Sequence, residues 1–323
     1  MELTNPIEAI PTRVQGPWRW AYRAADILIR PFIRCLPPLL AIETIATRWG
    51  VRAQPRACVV HLRCGARIFV APKDYLQRIV YYCGIFEPHC IAVLQALLEP
   101  GSSMLDIGAN IGVHALFAAS KIGTHGRVYA IEAHPGNAME LRANILRNHF
   151  QNITVFETGV GSRCGKAAMA LPNISNQGMY TVVDSTAAGG IEVELTTLDV
   201  LRKTKHLPRI DLIKMDIEGS ELATLKGGSE LFADDQPHLL IELNDASLRS
   251  RGGSAEELRK LLFQMDYVGW RMERTAWSNR RLSPIENGGC YECLFIARRR
   301  LNEPRARRVL SYVGHPRRTQ VDS

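Results

Sequence analysis

The sequence lacks the disulfide framework that stabilises small folds, and it lacks the long apolar segment that inserts a protein into a membrane. Its eight cysteines are scattered through 323 residues, which is no disulfide framework, so reduced thiols are the expected state. The first residues, MELTNPIEAIPTR, show no basic start followed by an apolar stretch, so no signal peptide is predicted. The most apolar N-terminal stretch, residues 35–42, has eight uncharged residues and two prolines, whereas a spanning helix needs about 20 residues. We therefore expect a cytoplasmic protein whose membrane contact, if any, is peripheral.

Aromatic residues are few, at 7%, and the chain shows no internal repeat and no low-complexity tract. With 46% hydrophobic and 22% charged residues, the composition is near the globular average, which excludes a collagen and a globally disordered chain. A chain of this length holds one large domain or two and needs no disulfide to fold.

The net charge of +8 is concentrated at the two ends. Residues 298–323 hold eight Arg against two acids, a net of +6, and residues 1–34 hold five Arg against three acids, a net of +2. The remaining residues, 35–297, therefore sum to zero. The sign suggests nucleic acid, but no aromatic residues cluster with the basic tail as stacking platforms would. Nucleic acid is for that reason not the favoured partner.

The two basic ends differ in pattern. In an N-terminal arm, residues 1–55, apolar residues of the stretch 18–33 alternate with arginines, which fits a basic amphipathic helix lying on a membrane surface. The alternative is a helix packed on the main domain with its arginines solvated, because apolar stripes usually face a core. Residues 298–323 are rich in Arg and are predicted to be disordered.

Between the ends, residues 56–297 alternate short apolar strands with helical segments. A strand pair is predicted at residues 58–62 and 66–70, helices follow, and further strands are predicted at residues 103–107, 127–131, 153–158, 211–215 and 239–243. This alternation predicts an α/β fold with a mostly parallel sheet covered by helices on both faces. The rhythm breaks between residues 161 and 199, where segments 166–171 and 191–196 predict an inserted β-hairpin at the ligand edge of the sheet.

A glycine turn at the end of the first parallel strand suggests the ligand. Gly108 and Gly112 let a ligand approach the backbone, but the spacing G-x-N-x-G differs from the G-x-G-x-x-G of dinucleotide binders. Asp106 would repel a pyrophosphate and would pair with the amino group of an amino acid. Glu132 ends the next strand, where a carboxylate can accept ribose hydroxyls. An amino acid joined to an adenosine without phosphate satisfies all three features, so S-adenosylmethionine is the predicted cofactor.

The same residues resemble the FkbM family of methyltransferases. The likeness covers roughly residues 80–295 and rests on the motifs GIFEP (84–88), DIGANIG (106–112), RVYAIE (127–132), TLD (197–199), DLIKMDIEGSE (211–221) and LKG (225–227). The resemblance implies a Rossmann-like class I methyltransferase fold with a seven-stranded sheet. It also implies cofactor contacts at Asp106, Gly108, Asn110, Gly112, Glu132 and Val160. The residues after Glu132, Ala-His-Pro, depart mildly from the family pattern.

Methyl transfer needs an acceptor held in line with the donor and, for a hydroxyl, a base near its proton. Lys214, Asp216 and Glu218 have spacing two at the end of the fourth strand, so a persisting strand would point them to one side, next to the cofactor. Asp216 is the first candidate at the reacting centre and for cofactor contact, and Glu218 is the second. Lys214 would either hold Asp216 ionised or orient the acceptor oxygen. Glu218 and Glu221 are also suited to capping the helix that follows. Glu242, ending the fifth strand, is a candidate for lining the acceptor pocket.

These residues predict an S-adenosylmethionine-dependent O-methyltransferase acting on a hydroxyl of a sugar, glycolipid or natural product. One alternative is an RNA methyltransferase that uses the basic tail, and another is a cofactor-binding protein without turnover. No metal site is expected, because the one C-x-x-C, Cys290 to Cys293, has no second pair.

Overall fold

The computed structural model describes residues 18–37, 40–73, 75–170, 181–183, 190–273, 281–285 and 290–312. The chain divides into two compact units, residues 1–86 with 275–277 and residues 87–274 with 278–323. The predicted boundary at residue 55 falls inside the first unit, because a hairpin and a helix that follow it belong to the same unit as the N-terminal helices. Among the described helices none is alone long and apolar enough to cross a membrane; one bent pair, Tyr75–Cys83 with Pro88–Leu97, reaches that length and composition together.

Three helices and one hairpin make up the described part of the first unit. These elements are α1 (Trp18–Cys35), α2 (Leu40–Ala53), β1 (Cys58–His61), β2 (Arg67–Val70) and α3 (Tyr75–Cys83). The strands β1 and β2 pair antiparallel, which confirms the predicted strand pair.

A buried carboxylate joins the three helices of this unit. Asp26 of α1 is 4% exposed and accepts hydrogen bonds from Trp49 Nε1 (3.0 Å), Tyr81 Oη (2.8 Å) and Tyr82 Oη (2.6 Å). Burial and the Asp26 carboxylate raise the pKa of Tyr81 to about 12, so this hydroxyl stays a donor. A buried charge is costly unless hydrogen-bonded, so these donors fix α1 against α2 and α3.

Helix α1 turns two of its arginines into the unit and part of its predicted apolar stripe towards solvent. Arg30 stacks 4.2 Å over the Tyr81 ring and Arg34 donates to the Tyr81 carbonyl at 2.9 Å, so both arginines turn into the unit. Ile27, Leu28 and Phe32 are instead 71–76% exposed. The expectation of a buried apolar stripe with solvated arginines is therefore wrong for these residues. The side chains of residues 18–20 and 23, also part of the predicted stripe, lie outside the described residues.

Twelve strands belong to the second unit. They are β3 (Ser103–Ile107), β4 (Arg127–Ile131), β5 (Ile153–Phe156), β6 (Gly159–Val160), β7 (Gly165–Ala170), β8 (Thr181–Val183), β9 (Ile191–Thr196), β10 (Leu212–Met215), β11 (His238–Asn244), β12 (Tyr267–Glu273), β13 (Arg281–Ser283) and β14 (Cys290–Ala297). Eight form the main sheet in the order β13-β12-β14-β11-β10-β3-β4-β5. The five strands from β5 to β11 in this order run parallel, and β14 pairs antiparallel with β11 and β12.

This sheet confirms the predicted fold class, a Rossmann-like class I methyltransferase fold. Its parallel strands are the five predicted apolar segments, and β3 and β10 at the centre are buried along their whole length, as strands covered on both faces must be. The short strand β13 adds an eighth strand to the seven that were expected.

Nine helices of the second unit connect or follow these strands. They are α4 (Pro88–Leu97), α5 (Val113–Ile122), α6 (Pro135–Arg147), α7 (Leu198–Lys205), α8 (Glu221–Lys226), α9 (Ser229–Asp235), α10 (Asp245–Ser250), α11 (Ala255–Gln264) and α12 (Pro304–Tyr312). Ser254 caps α11, since its Oγ accepts a hydrogen bond from the Glu257 N–H at 3.1 Å.

The predicted hairpin is part of a four-stranded second sheet with the order β6-β9-β7-β8. Strands β7 and β9 pair antiparallel as expected, from Gly165 opposite Leu195 to Met169 opposite Ile191. The sheet also contains β8, antiparallel to β7, and β6, parallel to β9, so the insertion is larger than one hairpin. Residues 171–180 and 184–189 of the insertion lie outside the described residues.

Disorder was predicted from residue 298 onward, and this is wrong for residues 298–312. A 3₁₀ turn, Arg298–Arg300, leads into α12. Arg300 is 2% exposed and donates to the carbonyls of Gln236 (2.9 Å) and Asp211 (3.3 Å) and to Glu303 Oε1 (2.8 Å). Backbone carbonyls and a carboxylate satisfy the guanidinium, so an Arg-rich segment folds onto the sheet. Residues 313–323 lie outside the described residues.

Candidate active site

The glycine turn lies between the ends of two neighbouring strands. The N–H groups of Gly108 and Ala109 donate to the Ile131 carbonyl of β4, and the Asp216 N–H donates to the Ile107 carbonyl of β3 (3.1 Å). Gly108 has φ +81°, and a Cβ at this position would meet the Asp216 carbonyl oxygen. Only glycine therefore lets the turn lie against the end of β10.

Asp106 has the environment expected of a ligand-binding carboxylate. Its side chain is 1% exposed at the end of β3, and among the described residues neither carboxylate oxygen accepts a hydrogen bond of full geometry; the Ala115 N–H of α5 lies near enough to lower its pKa slightly. Burial raises the pKa of Asp106 to about 6, against the opposing charge of Lys214. Buried carboxylates are normally hydrogen-bonded, so this one fits a donor that comes from a ligand, such as an ammonium group.

Glu132 connects the two predicted cofactor loops. Its Oε2 accepts from the Asn110 N–H (2.8 Å) and its Oε1 accepts from the His134 N–H (2.9 Å). Burial raises the pKa of Glu132, and these two hydrogen bonds act in the opposite direction. The Asn137 side chain gives a third hydrogen bond that also lowers the pKa. A carboxylate offers about four acceptor positions, so one remains for a hydroxyl donor.

Val160, the predicted residue on the adenine side, lies in β6 with its side chain in the hydrophobic core. Its carbonyl accepts a hydrogen bond from Thr224 Oγ1 at 3.1 Å. A Cβ built on the preceding Gly159 would lie 3.7 Å from the Cβ of Ala133, so β6 passes next to the loop that follows Glu132. The backbone, rather than the Val160 side chain, is what this segment presents to that loop.

Lys214 and Asp216 form an ion pair beside Asp106. Lys214 is 2% exposed, its Nζ lies 3.1 Å from Asp216 Oδ2, and its register partner on β3 is Asp106. Burial by itself lowers the pKa of Lys214, but the carboxylates of Asp216 and Glu87 outweigh it and hold the pKa well above its usual value. The predicted pairing of Lys214 with Asp216 is present, and the lysine is an ammonium group rather than a base.

Glu218 and Glu221, equally suited to capping by sequence, separate in the structure. Glu221 Oε1 accepts from the Ile217 and Gly219 N–H groups (3.1 and 3.2 Å), so it holds the turn before α8. Glu218 has φ +50°, so the strand geometry assumed for its spacing ends before it. The turn nevertheless brings carboxylate oxygens of Glu218, Asp216 and Glu242 within 4.8 Å of one another. We call these three residues the acidic cluster.

Proton affinity is high in the acidic cluster because burial and mutual repulsion disfavour ionisation. Burial, followed by the charges of Asp216 and Glu218, raises the pKa of Glu242 to about 9. Burial, followed by the charges of Asp216 and Glu221, raises the pKa of Glu218 to about 7. Cys290 Sγ donates to Glu242 Oε1 at 3.3 Å. The cluster can therefore accept or release a proton near neutral pH.

A model of the methyltransferase FkbM domain matches residues 106–268, which is 163 of the 323 residues. The chain belongs to the FkbM methyltransferase family. This confirms the resemblance drawn from the motifs, and it makes the chain a methyl-transferring enzyme by family.

Relatives of this FkbM methyltransferase include named enzymes. It is 26% identical over 232 residues to the hexuronic acid methyltransferase AglP of Haloferax volcanii, covering 70% of this chain and 92% of that protein. Methyltransferase sdnD of Sordaria araneosa is 28% identical over 234 residues, covering 63% of this chain and 87% of that protein. The solved structure of methyltransferase FkbM from Methylobacillus flagellatus KT is 19% identical with a TM-score of 0.42, and the match spans 86% of this chain and 60% of that one.

Two residues near the FkbM methyltransferase site were missed as site residues. Glu87 precedes α4 with φ +47°, and its Oε2 lies 3.3 Å from His114 Nε2 and 3.8 Å from Lys214 Nζ. Burial and the Lys214 charge hold the pKa of His114 well below its usual value, so this imidazole is neutral. The signal for Glu87 was present in the GIFEP motif, where an acid directly precedes the Pro that opens a helix.

Glu292 is the third missed residue, and nothing in the sequence marked it. It lies on β14 directly opposite Glu242 of β11, so both carboxylates are on one face of the sheet. Antiparallel register decides this pairing, and the register depends on a connection that local sequence patterns do not specify.

Two groups of described residues have the donor atoms that a metal ion requires. The acidic cluster offers oxygen atoms only, which hard divalent cations prefer, and a buried group of His89, Cys90 and Glu292 offers nitrogen, sulfur and oxygen. Cys290 and Cys293, the C-x-x-C of the sequence, lie three residues apart on β14 and so point to opposite faces.

Proposed function

We propose that this FkbM methyltransferase uses S-adenosylmethionine to methylate a hydroxyl of a sugar, glycolipid or natural product. The observation that carries the cofactor assignment is Asp106, a buried carboxylate beside a glycine turn whose oxygens accept no hydrogen bond of full geometry among the described residues. An α-ammonium group would supply the strong donor that this carboxylate needs. Glu132, with one acceptor position left, would take a ribose hydroxyl, and the backbone near Val160 would border the adenine.

S-Adenosylmethionine, when bound, supplies an electrophilic methyl group on a sulfonium. The chain supplies the rest of the chemistry. Asp216, held by Lys214 at 3.1 Å and 27% exposed, is placed to orient an acceptor hydroxyl. Glu218, with its pKa raised by burial to about 7, is suited to accept the hydroxyl proton, since a base works best with a pKa near the working pH.

The acidic cluster favours a neutral acceptor oxygen. A hexuronic acid, which the name of AglP specifies for that protein, carries both hydroxyl groups and a carboxylate. Glu242, with its pKa raised to about 9, is protonated near neutral pH, so the negative charge that would repel an acceptor carboxylate comes from Asp216 and from the ionised fraction of Glu218. We therefore place the transferred methyl on a hydroxyl rather than on a carboxylate.

The RNA alternative loses part of its support. Arg300, Arg305 and Arg308 of the basic C-terminal segment bond to carbonyls and carboxylates of the chain itself. They are not available as phosphate contacts. The cytoplasmic location expected from the sequence stays a prediction.

The test is incubation with methyl-labelled S-adenosylmethionine and a cell extract separated into lipid, polysaccharide and RNA fractions. We expect alkali-stable label in lipid or polysaccharide, because a methyl ether resists mild base and a methyl ester does not. Label in RNA, or alkali-labile label, would overturn the proposed acceptor, and absence of label with tight cofactor binding would support a binding protein without turnover.

The Asp216→Asn variant tests the reacting centre. We expect turnover to fall at least about a hundredfold, since positioned acid–base groups contribute roughly that much, while cofactor affinity changes far less. Asp234→Asn, an exposed acid of the same type, is the control. Normal turnover in Asp216→Asn would remove this residue from the chemistry.

A further inference from the structure

Helix α1 carries an apolar face with no described partner. Leu28, Phe32 and Leu36 follow one row at spacing four, and Ile27 adjoins the row; the large side chains are exposed by 71%, 76%, 42% and 75%, respectively. Pro31 and Cys35 between them are also exposed and uncharged. We call the four large residues the α1 face. Contiguous exposed hydrophobic side chains mark interaction sites, whereas the hydrophobic residues of an ordinary surface are scattered singly.

The unit that carries the α1 face holds most of the net charge of the protein. Residues 1–86 contain 12 Arg and Lys against five Asp and Glu, a net of +7 out of +8. Two of those acids, Asp26 and Glu43, are buried. Six cations of the unit are exposed: Arg48, Arg52, Arg56, Arg63, Arg67 and Lys73. The described surface of this unit is therefore strongly cationic.

We propose that this unit docks on an anionic lipid bilayer, with the α1 face inserted at the interface. Two interactions bind an interfacial helix to a bilayer. Its apolar side chains enter the headgroup region, and cations near it are attracted to anionic lipids. Arg30 and Arg34 face into the unit, so the exposed cations among the described side chains lie on other elements than α1.

A second copy of the chain fits this surface less well. Two units of charge +7 repel each other, whereas an anionic bilayer attracts each of them. A stable interface needs about 800 Å² and 20–30 residues on each side. The α1 face has three large residues on one helix and a fourth, Leu36, directly after it, which is far short of that size.

Flotation of the full-length chain with lipid vesicles tests the proposal independently of methyl transfer. We expect the chain to float with vesicles containing phosphatidylglycerol and to float much less with pure phosphatidylcholine. The triple variant Ile27→Ser, Leu28→Ser, Phe32→Ser should lose binding at least about tenfold, since the inserted apolar area is removed. Its thermal unfolding, compared with that of the natural chain, establishes that it is folded.

A matched control uses exposed hydrophobics elsewhere. Met139 and Leu146 of α6 are exposed by 66% and 73%, so the variant Met139→Ser, Leu146→Ser removes similar apolar area away from α1 and should float normally. Equal flotation of the triple variant and this control would overturn the docking face. Equal flotation on neutral and anionic vesicles would overturn the role of charge. A dimer in light scattering that the triple variant loses, without flotation, would replace the bilayer by a second copy.

Discussion

At the scale of single residues, the site is a set of carboxylates whose charge is balanced incompletely. Asp106, Glu242 and Glu292 lie on the face of the sheet that carries Lys214, and Asp216 directly follows β10. Burial raises the pKa of Glu242 to about 9 and that of Glu292 well above its usual value, so the negative charge beside the Lys214 ammonium is mainly that of Asp106 and Asp216. Such a site favours a cation, which S-adenosylmethionine is. Binding of that cation must therefore depend on whether the carboxylates are ionised.

The affinity for S-adenosylmethionine is expected to depend on pH through Asp106. With a pKa raised by burial to about 6, the Asp106 carboxyl must lose a proton before it pairs with an ammonium group, so affinity at pH 5 should be about tenfold weaker than at pH 7. Asp106→Asn should weaken binding by about 1.5–3 kcal/mol and flatten this dependence. Isothermal titration calorimetry at both pH values measures both effects; an unchanged affinity in Asp106→Asn would refute the site.

Glu242 should make the folded state more stable in acid than in base. Its folded-state pKa is raised to about 9 by burial, so the unfolded chain ionises first, and the stabilisation present below pH 4.5 is lost as the pH rises towards 9. Glu242→Gln removes this loss. The free energy of unfolding of Glu242→Gln should exceed that of the natural chain at pH 8.5 by about 1 kcal/mol or more, with little difference at pH 4.5. Urea titrations at the two pH values decide the point, and an equal difference at both would contradict it.

At the scale of elements, apolar runs and glycines predicted the parallel strands, because burial on both faces demands such runs. The C-terminal segment was wrongly predicted to be disordered. An Arg-rich stretch suggests solvated side chains unless its carbonyl and carboxylate partners are known. Arg300 finds its partners at Gln236 and Asp211, distant in sequence, so no local pattern could reveal them. The pairing of Glu242 with Glu292 could not be predicted for the same reason, because strand register joins residues that are distant in sequence.

The Arg300→Met variant tests whether this segment stabilises the fold. Removing a buried guanidinium that serves two carbonyls and Glu303 should cost about 3 kcal/mol of unfolding free energy. Arg307→Met, an exposed change on the neighbouring helix α12, should change it by less than about 0.5 kcal/mol. Chemical denaturation of both variants gives the comparison, and equal stabilities would mean that the segment contributes little.

At the scale of the whole molecule, charge is separated along the chain. Residues 1–86 carry +7 and residues 298–323 carry +6, so residues 87–297, with 20 Lys and Arg against 25 Asp and Glu, carry −5. No sequence pattern divides the neutral stretch 35–297, because the unit boundary after residue 86 follows from packing. The acidic part contains the candidate site, and its sign suits a cationic cofactor.

Association of S-adenosylmethionine should consequently slow as salt is added. Opposite charges steer diffusion, and salt screens this attraction within about 10 Å at moderate ionic strength. S-Adenosylhomocysteine lacks the sulfonium charge and should show a weaker dependence. Stopped-flow binding of both compounds over a range of NaCl measures the difference; identical salt slopes would indicate that local contacts alone govern capture.

Gly108 has a consequence for any attempt to diversify this enzyme. Gly101 has a similar backbone angle, φ +87°, but a Cβ there would meet nothing within 4 Å, whereas a Cβ at Gly108 would meet the Asp216 carbonyl. In a saturation library, position 101 should admit Asn and Asp, which tolerate positive φ, while position 108 should return glycine alone. The cofactor turn and the reacting strand thus share one position that selection cannot vary, and new acceptor specificity has to be sought elsewhere in the chain.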